Sequence, residues 1–491
     1  MSCLVAAPCS GSGKTLLTLA LAALARHRGA SVQTFKVGPD YLDPQLLTRV
    51  AGRVCRNLDP LLCGQDWVRT AYRWHARQAD CVLVEGVMGL FDGRGPTWEG
   101  SSAHVAHLLD LPVVLVVEAA RQGTSIAALV RGFRDHGPHP VQLAGVVLNR
   151  VASERHRLLL KEALASISVP VLGVLPPHPA FELPSRHLGL LPPHELADLE
   201  ARTGTWVHMA EAHLDLDRLW PLLTAQAPYS GNGCVDPIAA ALVEEQSRLG
   251  SPCSGNGCPP VVVAQDAAFH FTYPETFELL TALGLEVQPW SPLADQPLPR
   301  PCGAVVLPGG YPELYAAELA AASLSRASLA EACRQATPVV AECGGLLLLG
   351  DTLEDLQGRP WPMAGVLPFS ARKGGLSLGY RQAQALGDGL LVREQERFIG
   401  HEFHRWQLLP SQGQPKDGAL WQLEGWGLER SLEGWTTSTL HASWLHLHWA
   451  GFPRIPLRLA AAIAGAGRLP PSAAFCNPKT PPKRPFQSAG V

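Results

Sequence analysis

Residues 3–15 read Cys3-Leu4-Val5-Ala6-Ala7-Pro8-Cys9-Ser10-Gly11-Ser12-Gly13-Lys14-Thr15, and this stretch decides the fold. A short apolar run ends in a Ser/Gly turn and opens into the Leu/Ala-rich stretch 16–26, the order strand, loop, helix. Glycines in the core Gly11-Ser12-Gly13-Lys14-Thr15 let backbone N–H groups close around phosphates. Lys14 reaches the β/γ oxygens, and the Thr15 hydroxyl can ligate Mg²⁺. The strict GxxxxGK[ST] pattern carries Gly where this chain has Pro8. Ser10, Gly11, Ser12, Gly13, Lys14 and Thr15 are the expected nucleotide contacts, with ATP and Mg²⁺ as cofactors.

Outward from the loop, β-branched runs at 32–35, 82–84, 113–117, 145–148 and 171–175 alternate with longer Ala/Leu-rich stretches. Strands apolar on both faces with helical crossovers give a parallel α/β sheet. The rhythm fades between about 202 and 260, where Ser230-Gly231-Asn232-Gly233-Cys234 recurs as Ser254-Gly255-Asn256-Gly257-Cys258. Such Gly/Asn-rich duplication reads as loop or linker. A second alternating region begins at Val261, and from Arg468 a Pro- and Lys-rich tail is expected to be disordered. The domain expectation is therefore 1–201, a linker at 202–260, a second α/β domain at 261–467 and the tail at 468–491.

With 491 residues the chain exceeds one ordinary core, and 40 basic against 43 acidic residues leave a formal charge of −3. That balance lacks the basic footprint of a nucleic-acid binder. Apolar runs break well before the ~18 residues a membrane span needs. The N-terminus enters the first strand directly, so a cytoplasmic enzyme without a signal peptide is expected. The twelve cysteines form no CxxC and no compact Cys/His cluster at zinc spacing.

Several acids stand where catalysis needs them. Val84-Glu85-Gly86 through Asp92-Gly93 follows a strand, and an acid at the C-terminal end of a parallel strand lies beside the ligand crevice. Glu85 and Asp92 are candidate Mg²⁺ ligands or catalytic acids. In Lys36-Val37-Gly38-Pro39-Asp40-Tyr41-Leu42-Asp43, Asp40 and Asp43 are candidates for binding metal or orienting an acceptor carboxylate. Lys36 is a candidate for holding a phosphate or a substrate acid.

Far downstream, Val339-Val340-Ala341-Glu342-Cys343-Gly344-Gly345 has the form of a nucleophile elbow, with small residues relieving the bend. A helix N-terminus there favours thiolate. Backbone N–H groups at Gly310 and Gly344 are the candidate oxyanion hole. The base is expected from His446-Leu447-His448; His401 and His404 form a competing base site, read as a substrate contact or a structural strand. A phosphate cradle and an amide-attacking cysteine together imply ATP activation of a carboxylate and amination with nitrogen from glutamine.

The ordered set of phosphate loop, FKVGPDYLDP (35–44), NLD (57–59), EGVMGLFDG (85–93), RHLGL (186–190), AFHFTYPE (268–275), LPGGYPE (307–313), AECGG (341–345), LGY (378–380), GHEFH (400–404) and HLHW (446–449) resembles the cobyrinic acid a,c-diamide synthase family. The resemblance spans about 2–454, with the linker and the tail outside it. It implies a dethiobiotin synthetase-like domain followed by a class I, triad-type glutamine amidotransferase domain, acting on a carboxylated corrinoid. By the same resemblance Lys14 and Thr15 contact nucleotide and Mg²⁺, and Glu85 and Asp92 are metal or catalytic acids. Asp40, Tyr41 and Leu42 neighbour the acceptor carboxylate, Cys343 is the nucleophile and His446 activates it. Other triad glutaminases carry Glu two residues after the catalytic His; here that position is His448, leaving the third relay member unassigned. Alternatives are cobyric acid synthase, an amidase of nickel sirohydrochlorin, and a nucleotide-switch ATPase fused to an inactive glutaminase-like module. A homodimer is a further expectation.

Overall fold

The computed structural model describes residues 2–186, 189–224, 235–249, 257–410 and 419–466. Both copies of the Ser-Gly-Asn-Gly-Cys repeat, apart from Gly257 and Cys258, lie outside the described residues, as do the tail and residues 187–188 of the RHLGL segment.

The first domain is a seven-stranded, all-parallel sheet. Its strands are β1 (Cys3–Ala6), β2 (Val32–Val37), β3 (Arg56–Leu58), β4 (Cys81–Glu85), β5 (Val113–Glu118), β6 (Leu143–Asn149) and β7 (Val171–Val174), in the order β3-β2-β4-β1-β5-β6-β7. The order reverses beside β1, the position at which an open α/β sheet leaves a crevice at its carboxyl edge. Residues of β1 are fully buried, which is why the chain spends Leu4 and Val5 there. Helix α1 (Lys14–His27) leaves the phosphate loop with an almost wholly buried apolar surface, and α2 (Leu42–Ala51) follows β2.

The second domain holds an eleven-stranded mixed sheet. Its parallel part places strand Val339–Glu342 between Ala304–Leu307 and Leu440–Ser443, with Glu342 opposite Ser443. The long strands Phe369–Ala385 and Arg397–Pro410 pair antiparallel beside this core.

Much of the span expected as linker is helical. Helix Leu199–His213 packs on α1 and Leu216–Thr224 on β4 and β7, burying Trp206, Val207, Leu219 and Leu223 in the first domain's core. Helix Pro237–Leu249 adds Ile238 and Leu242 to the second domain's core. Burial of these apolar residues orders the segment, which the flanking Gly/Asn-rich repeats led the sequence reading to treat as a linker.

The domains meet through charged and aromatic contacts. The Arg56 guanidinium grips the two carboxylate oxygens of Glu278 at 2.8 and 2.6 Å and donates to Glu275 at 3.1 Å. The Tyr380 hydroxyl donates to Asp59 at 2.9 Å, joining the NLD and LGY segments.

Candidate active site

The phosphate loop has the predicted form. Gly13 sits at φ +107°, and a Cβ there would lie 2.6 Å from the Asn149 amide, which itself donates to the Ser12 carbonyl at 3.0 Å. Only glycine meets both demands. The Lys14 ammonium donates to the Met88 carbonyl at 2.7 Å.

At the carboxyl ends of β2 and β4, Lys36 and Glu85 are register neighbours, and both side chains are buried. Lys36 Nζ lies 2.7 Å from Glu85, 2.5 Å from Asp43 and 3.7 Å from Asp40. The Thr15 hydroxyl donates to the same Glu85 oxygen at 2.6 Å. The other Glu85 oxygen is buried and has no hydrogen-bond partner among the described residues. Burial lifts Glu85 to about 7 against the pull of Lys36, while Lys36 holds Asp43 below its ordinary value despite its burial. Burial and the Asp43 charge raise Asp40 to about 6. Asp40 also accepts the backbone N–H groups of Leu42 and Asp43 at 2.9 and 3.1 Å, fixing the entry to α2.

The expected residues are thus unequally placed. Thr15, Lys36, Asp40 and Glu85 converge, and Asp43 joins them as a full member. Lys36, expected to hold a phosphate or substrate acid, is ion-paired with the acids, because a buried carboxylate cluster requires a cation. Asp92 stands apart: it is exposed and accepts the Gly89 N–H at 2.7 Å, closing its own turn. Tyr41 and Leu42 face the second domain. Leu42 packs with Phe271 and Tyr311, and the Tyr41 ring lies between Phe271, Tyr273 and His446, with centroid separations of 5.3, 4.6 and 5.1 Å.

Cys343 forms a true elbow, at φ +48° and ψ −109°, immediately before helix Gly344–Leu348. A non-glycine residue holds this conformation only where its surroundings enforce it, here partly the hydrogen bond from Cys343 N–H to the Ser443 carbonyl at 2.8 Å. The thiolate expectation is corrected. Burial, reinforced by the charge of Glu313, pushes the thiol pKa up, and the Gly344 N–H offsets only part of that. The five-residue helix is too short to reverse it, so the resting group is a thiol that needs a base. Gly344 abuts Gly310: a Cβ on Gly344 would lie 2.8 Å from the Gly310 nitrogen, which brings together the two proposed oxyanion donors.

His446 is buried against Gly309, where an added Cβ would come within 2.5 Å of the imidazole Cε1. Burial drives its pKa down to about 3, keeping the ring neutral and able to accept a proton. His448 turns instead to the domain interface, stacked on Tyr273 at 4.1 Å and 3.7 Å from Glu275. His401 pairs with His446 through backbone hydrogen bonds, and the His404 ring stacks on Trp444 at 3.9 Å.

Residues 3–191 match the CobQ/CobB/MinD/ParA nucleotide binding domain, and residues 260–453 match the CobB/CobQ-like glutamine amidotransferase domain. The cobyrinate a,c-diamide synthase of Synechococcus sp. is 41% identical over 92% of this chain and 96% of its own length. That of Gloeobacter violaceus is 41% identical over 96% and 100%. The hydrogenobyrinate a,c-diamide synthase of Streptomyces coelicolor is 42% identical over 92% and 96%. The chain belongs to the cobyrinate and hydrogenobyrinate a,c-diamide synthase family. In this member of the family the two half-sites lie on either side of one interface, with Tyr41 of the acidic loop against His446 of the glutaminase. Asp43, named with Asp40 as a candidate from the sequence, sits in the ion cluster from the first turn of α2; Asn149, whose amide holds the phosphate loop through the Ser12 carbonyl, was not read from the sequence. Among the described residues no helix is long and apolar enough to cross a membrane.

Proposed function

We propose that this chain amidates the a- and c-acetate carboxylates of a cobyrinic acid-type corrinoid, using ATP and ammonia released from glutamine. The observation that carries this reading is the 5.1 Å approach of Tyr41, the residue after Asp40, to the ring of His446. Ammonia formed at Cys343 emerges beside the loop that bears the acidic cluster. A free carboxylate does not condense with ammonia at neutral pH, and free ammonia there is mostly ammonium, so activation and local delivery serve the same step.

In this reading the thiol of Cys343 passes its proton to His446 as sulfur attacks the glutamine carboxamide, and the N–H groups of Gly344 and Gly310 hold the oxyanion. Ammonia then passes the Tyr41 and Tyr273 rings. At the other half-site the phosphate loop and Lys14 bind ATP, the substrate carboxylate takes the γ-phosphoryl group, and ammonia displaces phosphate from the acyl phosphate. Asp40, tuned near neutrality, is suited to take the proton that the attacking nitrogen sheds. Thr15, Glu85 and Asp43 are oxygen donors suited to Mg²⁺, and the unpartnered Glu85 oxygen fits such a ligand. Bound there, Mg²⁺ would neutralise phosphate charge. A cytoplasmic setting suits these substrates.

The test is Cys343→Ala with cobyrinic acid, ATP and Mg²⁺. Glutamine-dependent amidation is expected to vanish while ammonium-dependent amidation persists. Undiminished use of glutamine by the variant would overturn the reading.

A further inference from the structure

Behind the Cys343 and His446 pair, the position where other triads carry a glutamate holds His448, and His448 is committed to Glu275 and Tyr273. The imidazole Nδ1 of His446 is nonetheless buried and has no hydrogen-bond partner among the described residues. One carboxylate oxygen faces it: Glu342 Oε2, at 3.8 Å. We propose that Glu342, the residue directly before the nucleophile, is the third relay member, a positioning residue that orients His446 and receives the positive charge it develops.

Three further observations support the assignment, which rests on the glutaminase role proposed above. First, the Glu342 carboxylate is clamped by the Trp449 side chain and the Leu447 N–H. Both belong to the turn that carries His446, so one short segment fixes the acid and the base together. Second, the ring has little freedom elsewhere, being confined by the Gly309 backbone and the Tyr41 face. Third, the other acids near Cys343 are differently placed: Glu402 is bound by Arg381 and Ser377 at 2.8 Å each, and Glu313 makes no described contact with His446. The acid comes from the end of strand Val339–Glu342, one residue before the nucleophile, rather than from two residues beyond the histidine, so the same job is reached by a different chain route.

Proton bookkeeping is complete within the site. Burial raises Glu342 to about 8, so the relay works from its ionised form: with Nδ1–H donated to that carboxylate, Nε2 carries the free lone pair. It takes the Cys343 proton as the S–C bond forms, and the resulting imidazolium lies against the carboxylate. The C–N bond then breaks and the proton leaves on ammonia. Water later breaks the S–C bond to release glutamate. The titratable groups facing this pair are Cys343, Tyr41, Tyr273, His401 and His404.

The experiment compares Glu342→Gln, Glu342→Asp and Trp449→Phe in the full chain, measuring glutamine hydrolysis and, separately, ammonium-dependent amidation. Glu342→Gln is expected to lower the kcat for glutamine roughly 10²-fold with KM changed less than about threefold. It should also move the acid limb of the glutaminase pH profile. Glu342→Asp should recover part of the rate, and Trp449→Phe, which loosens the clamp, should fall between. Ammonium-dependent synthesis reports that each variant is folded. A Glu342→Gln enzyme with kcat within about threefold of wild type and an unmoved profile overturns the proposal, as does equal loss of ammonium-dependent synthesis. Loss of the glutaminase reading itself would show differently, as glutamine hydrolysis surviving Cys343→Ala.

Discussion

At Gly309 and Cys343 the chemistry depends on a few tenths of an ångström. The imidazole of His446 rests on the bare Gly309 backbone, so Gly309→Ala places a methyl within 2.5 Å of Cε1 and must displace the base. Glutamine hydrolysis is expected to fall roughly 10²-fold, with ammonium-dependent amidation retained, in parallel steady-state assays; unchanged hydrolysis would contradict the placement of the ring. Gly13→Ala adds a clash with Asn149 to a strained φ, and should cost about 1–3 kcal/mol in ATP binding or folding, read by calorimetric titration and thermal melting. Residue identities of this kind were largely legible in the sequence, because glycines, an elbow cysteine and the acid that closes β4 beside the phosphate loop announce their chemistry. Glu342 was not. It reads as the last residue of a buried strand, and only the fold shows that Ser443 lies opposite it and brings His446 around to its carboxylate.

Secondary elements divide along the same line. Strands β1, β2, β4, β5 and β6 are short, mainly apolar runs rich in valine, the composition that a buried parallel strand requires. Helix Leu199–His213 escaped because Thr203-Gly204-Thr205 interrupts it and its apolar residues form no strong stripe. Helix Leu216–Thr224 carries Pro221 within it. Their burial in the first domain's core is a tertiary effect that propensity does not report. Trp206 anchors the segment, fully buried and donating its indole N–H to the Ala180 carbonyl at 2.8 Å. Trp206→Ala should therefore cost about 3–5 kcal/mol in urea denaturation of the first domain. A cost below about 1 kcal/mol would return the segment to the status of a linker.

The whole molecule is organised around its interface, and a buried acid there predicts a pH dependence of stability. Burial raises Asp59, bonded to Tyr380, to about 6. An acid whose folded pKa lies above its unfolded value stabilises the fold below the unfolded pKa, and this contribution is lost as pH rises through the folded one. Wild type should therefore lose roughly 3 kcal/mol between about pH 4 and pH 6 from this group, a loss that Asp59→Asn lacks. The melting temperature of Asp59→Asn relative to wild type should climb over that window, and a constant difference would contradict the burial. At the same scale Tyr41 joins the two chemistries. Tyr41→Ala is expected to raise the glutamine consumed per amide formed, measured as glutamate against product. The domain order and the two half-sites were readable from motifs, but their apposition was not, since motif spacing along the chain carries no information on contact across the interface. The most direct measurement is mass spectrometry of the product made from cobyrinic acid, ATP, Mg²⁺ and amide-¹⁵N glutamine in excess unlabelled ammonium. Predominant ¹⁵N in both new amides is the predicted result; a product carrying the unlabelled nitrogen of the medium would contradict delivery from Cys343 to the acidic cluster.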